Sequence, residues 1–338
     1  MISKNPLVSI ITPCLNGEKY VHRFLDSILR QTYDNIELIF VNDGSTDKTE
    51  EIVLSYDKKF KDKGVVFKYI YQDNKGLAGA INAGLKHFSG AYLCWPDSDD
   101  YLEDESIENR VAILEKYTDY AAVTSDAYIR HIDDLNKPIG LISTTATNNF
   151  SENQFELLLK GESIFCNGCH MLRANRFLEA YPERKIFEAR RGQNWQMLLP
   201  VYYKYKRYFL NEPLYNYIIY HTSMSRGDDT EDKKLFRCSE HEDILINTIS
   251  SIDMSEEEKI NYIQLIEDNY TRRRLYIAFD HKNQQLLETQ YNLLRKRNKL
   301  AMSDKIKYKI GKYRILSALL HPAIKQKRKW SSVKGDRL

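Results

Sequence analysis

Five short apolar runs, separated by segments with helical spacing, fill the first 125 residues and most constrain the fold. The runs are LVSIIT (7–12), IELIFV (36–41), VVFKYIY (65–71), AYLCW (91–95) and YAAVT (120–124). Their length and their β-branched and aromatic content are typical of buried strands. Strands that alternate with helices favour an α/β fold, with a mostly parallel central sheet and helices on both faces.

Polar clusters follow three of these predicted strands. They are TPCLNGE (12–18), NDGSTD (42–47) and DSDD (97–100). In open α/β sheets, ligands bind beyond the carboxyl ends of the strands. The sequence therefore predicts a binding site where these three clusters meet.

The D-x-D spacing of Asp97 and Asp99 suits a Mg²⁺ or Mn²⁺ site, because these hard cations take carboxylate and phosphate oxygens. A solvated acidic turn that caps the next helix is the alternative. Asp43, after the second strand, could accept a hydrogen bond from a nucleotide base or a ribose, or it could cap the following helix. Both roles remain open for Asp43.

The second half of the chain is less regular. Helices are predicted near 152–160 and 192–205, followed by a Tyr-rich strand and loop. From about residue 231 the pattern is helical and highly charged. We predict a first domain over 1–228, divided into halves 1–125 and 126–228, and a helical C-terminal region over 229–338.

A basic, amphipathic tail ends the chain. Of the 50 Lys and Arg residues, eleven lie in 305–338 with only one of the 47 acidic residues, so the rest of the chain has a net charge of −7. Basic amphipathic helices bind anionic membrane surfaces. We predict peripheral membrane contact through this tail, against the alternative of a packed helix with a disordered basic end. Nucleic-acid binding is disfavoured because the remaining body is acidic.

Other motifs exclude several classes of protein. There is no G-x-G-x-x-G in the first strand–helix turn and no P-loop, which disfavours dinucleotide oxidoreductases and P-loop NTPases. Cys166, Cys169 and His170 spell the c-type haem pattern, but we favour free thiols because no export signal and no second metal-ligand pair are evident. No apolar run reaches the length of a membrane span. We expect a cytoplasmic protein, located at the inner face of the cell membrane.

The segments VSIITPCLNGEKYVHRFLDSILRQTYDNIELIFVNDGSTDKTEEIV and NKGLAGAINAGLKHFSGAYLCWPDSDDYL resemble glycosyltransferase family 2. The resemblance covers residues 6–125, and RRGQNWQMLLPVYYKYKRYFLNEPLYNYIIYHTSMS extends it toward bacterial enzymes of capsule, exopolysaccharide or lipopolysaccharide synthesis. It implies a GT-A fold, which is Rossmann-like, with a helical C-terminal extension. It also implies an inverting transfer from a UDP-sugar with Mn²⁺ or Mg²⁺.

The resemblance also assigns roles to individual residues. The donor-binding residues that it implies are Thr12, Pro13, Asn16, Asp43, Asn74, Gly76, Asp97 and Ser98. The first three would line the base and ribose pocket, and Asp43 would hold the uracil or its ribose. Asn74 and Gly76 would form the turn under the nucleotide, and Asp97 would contact the ribose or the donor sugar. Asp99 would bind the metal, and His221 could reach the metal or the diphosphate or be a surface histidine.

This sequence departs from the family pattern at three places. Asn42 stands where an Asp is frequent, and Ile81 stands where an Arg or Leu is frequent. Gln193-Asn194 replaces the Glu-Asp pair whose carboxylate is the presumed general base, and amides cannot take a proton at neutral pH. We predict Glu188 as the substitute base, against the alternatives of an exposed ion-pairing residue and of Asp100 as base.

The resulting prediction is a metal-dependent inverting hexosyltransferase that extends a glycan, with a lipid-linked glycan as the expected acceptor. One rival is a sugar-nucleotide-binding protein without transferase activity, suggested by Gln193-Asn194. Another is a nucleotidyltransferase, which is disfavoured because no Gly-rich Arg/Lys signature lies near the N-terminus.

Overall fold

Four of the predicted strands lie side by side in the computed structural model, which describes residues 5–221 and 230–312. They are β1 (Val8–Cys14), β2 (Ile36–Asn42), β3 (Val66–Tyr71) and β4 (Tyr92–Cys94). Their order in the sheet is β3-β2-β1-β4, and all three pairings are parallel. Their carboxyl ends therefore meet at one edge of the sheet, as the sequence predicts.

Helices cover both faces of this parallel half. They are α1 (Val21–Leu29), α2 (Thr49–Leu54), α3 (Asp57–Lys63), α4 (Gly76–Leu85) and α5 (Ser106–Lys116). Apolar side chains of α1, α2 and α3 share one core with Val8 and Ile10 of β1. On the other face α4 lies very close to β1, because a Cβ on Gly84 would lie 2.3 Å from a methyl carbon of Ile11. All residues of β1 and β2 are consequently buried.

The second half of the sheet is mixed. The fifth predicted strand is β6 (Tyr120–His131), but it does not lie beside β4. The short β8 (His170–Arg173) lies between them and is antiparallel to both. The long β9 (Lys206–Ile219) then pairs in parallel with β6 and antiparallel with β5 (Tyr101–Leu102). The hairpin strand β7 (Asp134–Leu141) pairs with β6.

The connections in this half carry three helices and two 3₁₀ turns. The helices are α6 (Phe155–Leu159), α7 (Ala174–Ala180) and α8 (Gln193–Lys204), and the 3₁₀ turns are Ile142–Thr145 and Asn167–Cys169. The first and third helices lie inside the ranges predicted from sequence. Gly192, with φ of 76°, precedes α8 and sets the direction in which its first turn enters the protein.

The chain separates into two units, Met1–His221 and Thr222–Leu338. The second unit contains α9 (Glu231–Ser251), α10 (Glu256–His281), α11 (Gln284–Lys296) and α12 (Met302–Lys312). Ser255 and Glu258 form a capping box at the start of α10. Leu275 and Phe279 of α10 pack with Leu287 of α11 and Ile310 of α12. The part of the predicted basic tail after Lys312 lies outside the described residues.

Among the described helices we find none that combines the length and the apolar content needed to cross a membrane.

Candidate active site

The loops that follow β1 and β2 are joined by hydrogen bonds between them. The backbone N–H of Asn16 donates to Ser45 Oγ over 2.9 Å, and the side-chain Oδ1 of Asn16 accepts from the Thr46 backbone N–H over 2.9 Å. Gly17 donates to Thr49 Oγ1 over 2.7 Å, and Glu18 donates to Asp47 Oδ2 over 3.0 Å. These two loops, residues 15–18 and 43–49, form what we call the double loop.

Asp43 connects the double loop to the end of β3. Its Oδ1 accepts from Gln72 Nε2 over 2.6 Å and from the Lys75 backbone N–H over 2.9 Å. Asp43 is buried. Within the described residues, no hydrogen bond reaches its second oxygen, which leaves that oxygen able to accept from a ligand. Its position at the end of β2 is the one predicted for a nucleotide contact.

The departure at Asn42 has a structural explanation. Asn42 is fully buried, its Oδ1 accepts from the Ser45 N–H over 2.9 Å, and its Nδ2 donates to the Tyr69 hydroxyl over 2.8 Å. It therefore stabilises the turn and does not face a ligand. Ile81, the second departure, is also buried on α4.

Asn74 and Gly76 form the turn that leads into α4. Asn74 Oδ1 accepts from the Gly76 N–H over 3.2 Å, and Gly76 has φ of 75°. A Cβ on Gly44 would lie 2.9 Å from the backbone nitrogen of Asn74, so the double loop packs tightly against this turn. The next two N–H groups of α4, Leu77 and Ala78, donate to Arg190 and Ala189 carbonyls, at 3.1 and 3.3 Å.

The D-x-D residues lie together after β4. One carboxylate oxygen from each of Asp97, Asp99 and Asp100 lies within 4.8 Å of the others. Asp100 is buried, and it accepts from the Tyr215 hydroxyl over 3.0 Å and from the Ile218 N–H over 2.7 Å. Because both of its oxygens are held by β9, Asp100 is poorly placed to take a proton from an acceptor.

The protein compensates the charges in this cluster only in part. Burial, together with the charge of Asp99, raises the pKa of Asp97 to about 8. Burial also raises the pKa of Asp99, which its own backbone N–H and the nearby Arg23 oppose, and it raises the pKa of Asp100 well above the usual range. Carboxylate oxygens in this number and spacing fit a Mg²⁺ or Mn²⁺ ion, which would favour their charged forms.

Arg23 and Tyr220 hold the backbone of Asp99. The Arg23 guanidinium donates to the Asp99 carbonyl over 3.0 Å and to the Tyr220 hydroxyl over 2.5 Å, and Tyr220 donates to the same carbonyl over 2.8 Å. Sequence reasoning missed both residues. Tyr220 directly precedes the histidine of YHTSMS, but Arg23 lies on a helix without any local signal.

Cys14 links the strand ends to the acidic cluster. Its carbonyl accepts from the Asp43 N–H over 2.8 Å, and the side chain of Ser98 lies near its thiol. Burial, with the nearby charges of Asp47 and Asp99, raises the pKa of Cys14 to about 12, so the thiol stays neutral. The predicted donor residues Thr12 and Pro13 precede Cys14 in β1 and are buried.

A chain of side-chain hydrogen bonds leads from the interior to Asp97. Trp95 Nε1 donates to Asn194 Oδ1 over 2.8 Å. Asn194 Nδ2 donates to the Phe165 carbonyl over 2.6 Å and to Asn167 Oδ1 over 2.5 Å, and Asn167 Nδ2 donates to Asp97 Oδ1 over 2.7 Å. Trp95 and Asn194 are buried. Asn167 was not predicted as a site residue.

Glu188, the predicted base, lies on an exposed loop. Its carboxylate is 3.4 Å from Lys185 Nζ. The loop is fixed at one end by Asn82, whose side chain donates to the Ile186 carbonyl over 2.9 Å and accepts from the Ile186 N–H over 2.8 Å. It is fixed at the other end by the contacts of Ala189 and Arg190 with α4. The two residues that follow Glu188 therefore contact the start of α4, next to the Asn74–Gly76 turn. The role of Glu188 as base stays a prediction.

His221 groups with other residues than Asp99. Its Nε2 is 2.9 Å from Asp133 Oδ1, and His131 Nδ1 is 3.0 Å from Asp133 Oδ2. In the described residues, these three side chains and the aspartates 97, 99 and 100 are the two groups whose ligand atoms lie close enough to share a metal ion. The predicted contact of His221 with the Asp99 metal stays a prediction.

The profile of the glycosyl transferase family 2 matches residues 9–179, half of the chain. The chain belongs to glycosyltransferase family 2. The matched range contains the double loop, the Asn74–Gly76 turn and the D-x-D cluster, which the resemblance of the sequence had indicated.

Curated relatives of this family-2 chain are glycosyltransferases. An uncharacterized glycosyltransferase of Rickettsia typhi is 46% identical over 112 residues, which is 33% of each chain. Glycosyltransferase GlyA of Streptococcus pneumoniae is 32% identical over 65% of this chain and 31% of its own length. Putative glycosyltransferase EpsH of Bacillus subtilis is 29% identical over 69% and 66%. The matched stretch is thus about a third of the first two relatives.

Solved structures show the same fold. TarS of S. aureus (residues 1–349, in complex with UDP-GlcNAc) has a TM-score of 0.58 and 16% identity, over 96% of this chain and 87% of that chain. Mannosyltransferase PcManGT of Pyrobaculum calidifontis, in complex with GDP-Man and Mn²⁺, has a TM-score of 0.52 and 14% identity, over 94% and 88%. The predicted GT-A fold is therefore confirmed.

Proposed function

We propose that this chain transfers a hexose from a UDP-sugar to a hydroxyl group of a surface glycan, with a divalent cation and with inversion at the sugar. The strongest support is one observation: Asp97 and Asp99 adjoin the double loop through Cys14 and Ser98 at the carboxyl edge of the parallel strands. A nucleotide held by the double loop would present its diphosphate to these carboxylates.

The double loop and the turn after β3 would bind the nucleotide. The free oxygen of Asp43 would accept from the uracil or its ribose, while its other oxygen stays with Gln72 and Lys75. Thr12, Pro13 and Asn16 would complete the base and ribose pocket, and Asn74 and Gly76 would lie beneath it. Complexes of TarS with UDP and UDP-GlcNAc support a nucleotide-sugar donor for this fold.

Asp99, with Asp97 beside it, would hold Mn²⁺ or Mg²⁺. The cation would supply positive charge to the diphosphate as the bond to the sugar breaks. Asp97 and Ser98 would contact the ribose or the donor sugar. The Mn²⁺ complex of PcManGT supports a divalent cation in this fold.

The proposal for the acceptor side concerns Glu188, the acceptor and the basic tail. We propose Glu188 as the base that takes the proton of the acceptor hydroxyl, because its loop is fixed against α4 next to the turn under the nucleotide. We propose a lipid-linked glycan as acceptor and the basic tail as a peripheral contact with the inner face of the cell membrane. The tail proposal rests on sequence alone, since most of the tail lies outside the described residues.

A second candidate, a sugar-nucleotide-binding protein without transferase activity, is favoured by Asn194. This amide occupies the position where many family members have the carboxylate that acts as general base, and it is buried among hydrogen-bond partners. Glu188, the residue proposed to act as base in its place, is exposed.

A thermal-shift panel of UDP, GDP and their sugar conjugates, each with and without Mn²⁺, tests donor binding. A stabilisation by UDP and one UDP-sugar that requires Mn²⁺ is expected. Stabilisation only by a nucleoside triphosphate, or no effect of any uridine compound, would contradict the proposal. Release of UDP from the stabilising donor in the presence of glycan acceptors then separates the transferase from the binding protein.

A further inference from the structure

The hydrogen-bond chain Trp95–Asn194–Asn167–Asp97, which we call the amide relay, joins the interior of the protein to the D-x-D cluster. Its members come from four separate places in the sequence: the end of β4, the start of α8, a 3₁₀ turn and the D-x-D segment itself. Asn194 and Asn167 are both buried. Asn194 is therefore built into the site, although the usual carboxylate is missing.

The partners of Asn194 fix the orientation of its amide. The indole N–H of Trp95 can only donate, so the atom of Asn194 that faces it must be the oxygen. The carbonyl of Phe165 can only accept, so the atom that faces it must be the NH₂ nitrogen. Rotating the amide by 180° would break both hydrogen bonds inside the protein, where unpaired polar groups are unfavourable.

This fixed orientation determines the next residue of the amide relay. The NH₂ group of Asn194 also faces Asn167, so Asn167 must present its oxygen there. Its own NH₂ group is consequently directed at Asp97 Oδ1, at 2.7 Å. A hydrogen bond from an amide to a carboxylate favours one orientation of that carboxylate.

We propose that Asn194 is a positioning residue, which acts through Asn167 to hold the Asp97 carboxylate in the orientation needed for the donor and its metal ion. Asn194 would then determine which way the hydrogen bonds of the amide relay run. It would not be a general base that has lost its function. The proposal rests on the proposed function, because Asp97 is taken to face the donor.

The informative substitution is Asn194→Asp, which introduces the residue that many relatives have. A carboxylate there can still accept from Trp95, but it can donate neither to Phe165 nor to Asn167. Asn167 would then turn its NH₂ group toward residue 194 and its oxygen toward Asp97. Losing a supporting hydrogen bond of a metal-site carboxylate typically lowers metal affinity by about tenfold to a hundredfold.

Gln196→Glu is the matched control. Gln196 is a buried amide on the same helix, and its Nε2 donates to the Phe187 carbonyl over 3.0 Å. This substitution also turns a buried amide into an acid that faces a carbonyl, but the side chain of Gln196 donates to Phe187 and not to a member of the amide relay. Asn167→Ala removes the hydrogen bond to Asp97 directly and serves if Asn194→Asp does not fold.

The experiment measures UDP affinity by calorimetry with and without Mn²⁺ in the unchanged chain, the three single variants and the double variant Asn167→Ala/Asn194→Asp. We expect the Mn²⁺-dependent gain in UDP affinity to fall by about tenfold or more in Asn194→Asp and Asn167→Ala. We expect Gln196→Glu to keep this gain. The double variant should lose no more of this gain in UDP affinity than Asn167→Ala alone, because both changes interrupt the same amide relay.

Three results would overturn the proposal. The first is an unchanged Mn²⁺-dependent gain in Asn167→Ala. The second is a loss in Gln196→Glu equal to that in Asn194→Asp. The third is faster sugar transfer by Asn194→Asp with unchanged UDP affinity, which would make position 194 the site of a base. If the unchanged chain binds no UDP with Mn²⁺, the proposed function itself fails, and the two failures are thereby distinguished.

Discussion

Asn82 fixes the loop that carries Glu188, and removing its side chain gives a quantitative test of the acceptor side. Its amide makes two buried hydrogen bonds, to the N–H and to the carbonyl of Ile186. Asn82→Ala leaves both backbone groups without these partners. Each unpaired buried group costs about 1–3 kcal/mol. With both backbone groups unpaired, we expect the free energy of opening the loop to fall by about 3 kcal/mol.

Limited proteolysis measures this loss at the loop itself. Trypsin can cleave after Arg190 and Arg191, just beyond Glu188. When opening is fast, cleavage follows the population of the open loop. A loss of about 3 kcal/mol should therefore raise the cleavage rate at these residues by about 10²-fold, since about 1.4 kcal/mol corresponds to a factor of ten.

Asn109→Ala provides the control for this measurement. Asn109 lies on α5 and its side chain makes one exposed hydrogen bond, to Glu212 over 3.0 Å. The cleavage rate should not change in this variant, because water replaces an exposed hydrogen bond at little cost. Cleavage of Asn82→Ala at the rate of the unchanged chain would refute the reasoning that Asn82 anchors the loop.

Three further predictions concern the site. Asp99→Asn should abolish Mn²⁺-dependent UDP binding measured by calorimetry, while the exposed control Asp104→Asn should not; equal binding in both would remove Asp99 as a metal ligand. Glu188→Gln should keep UDP affinity but lower transfer by about 10²-fold or more in a UDP-release assay, and full activity would remove Glu188 as base. The pKa of Asp97 is raised to about 8 from 3.8. Without metal, its contribution to the free energy of unfolding is therefore fully present below about pH 4 and is lost as the pH rises toward 8. Because protons compete with the cation, Mn²⁺ should raise the melting temperature more at pH 8.5 than at pH 6, and the opposite order would contradict this.

The parallel half of the sheet could be predicted because its signals are local. Each strand is a continuous apolar run, each helix has its own periodicity, and parallel neighbours place their carboxyl ends at one edge. The position of β6 could not be predicted in this way. Its separation from β4 depends on β8, a four-residue strand whose pairing joins distant parts of the chain.

In the candidate site, too, the residues with a local sequence signal could be predicted and those placed by distant contacts could not. Asp43 and Asp97 follow predicted strands, so their places were evident from sequence. The inward orientation of Asn194 was not, because it depends on Gly192 before α8 and on a tryptophan about a hundred residues earlier in the chain. Arg23 also escaped prediction, since its target is a backbone carbonyl, which leaves no trace in side-chain patterns.

The reciprocal hydrogen bonds of the double loop bear on how this protein can be engineered. Asn16, Gly17 and Glu18 take their partners from Ser45, Thr46, Asp47 and Thr49, so neither segment has a complete set of partners by itself. Grafting one segment from a relative would separate donors from their acceptors, whereas exchanging both together would keep every pair. If the double loop binds the donor as proposed, donor preference should be transferable between relatives only when both segments are exchanged together.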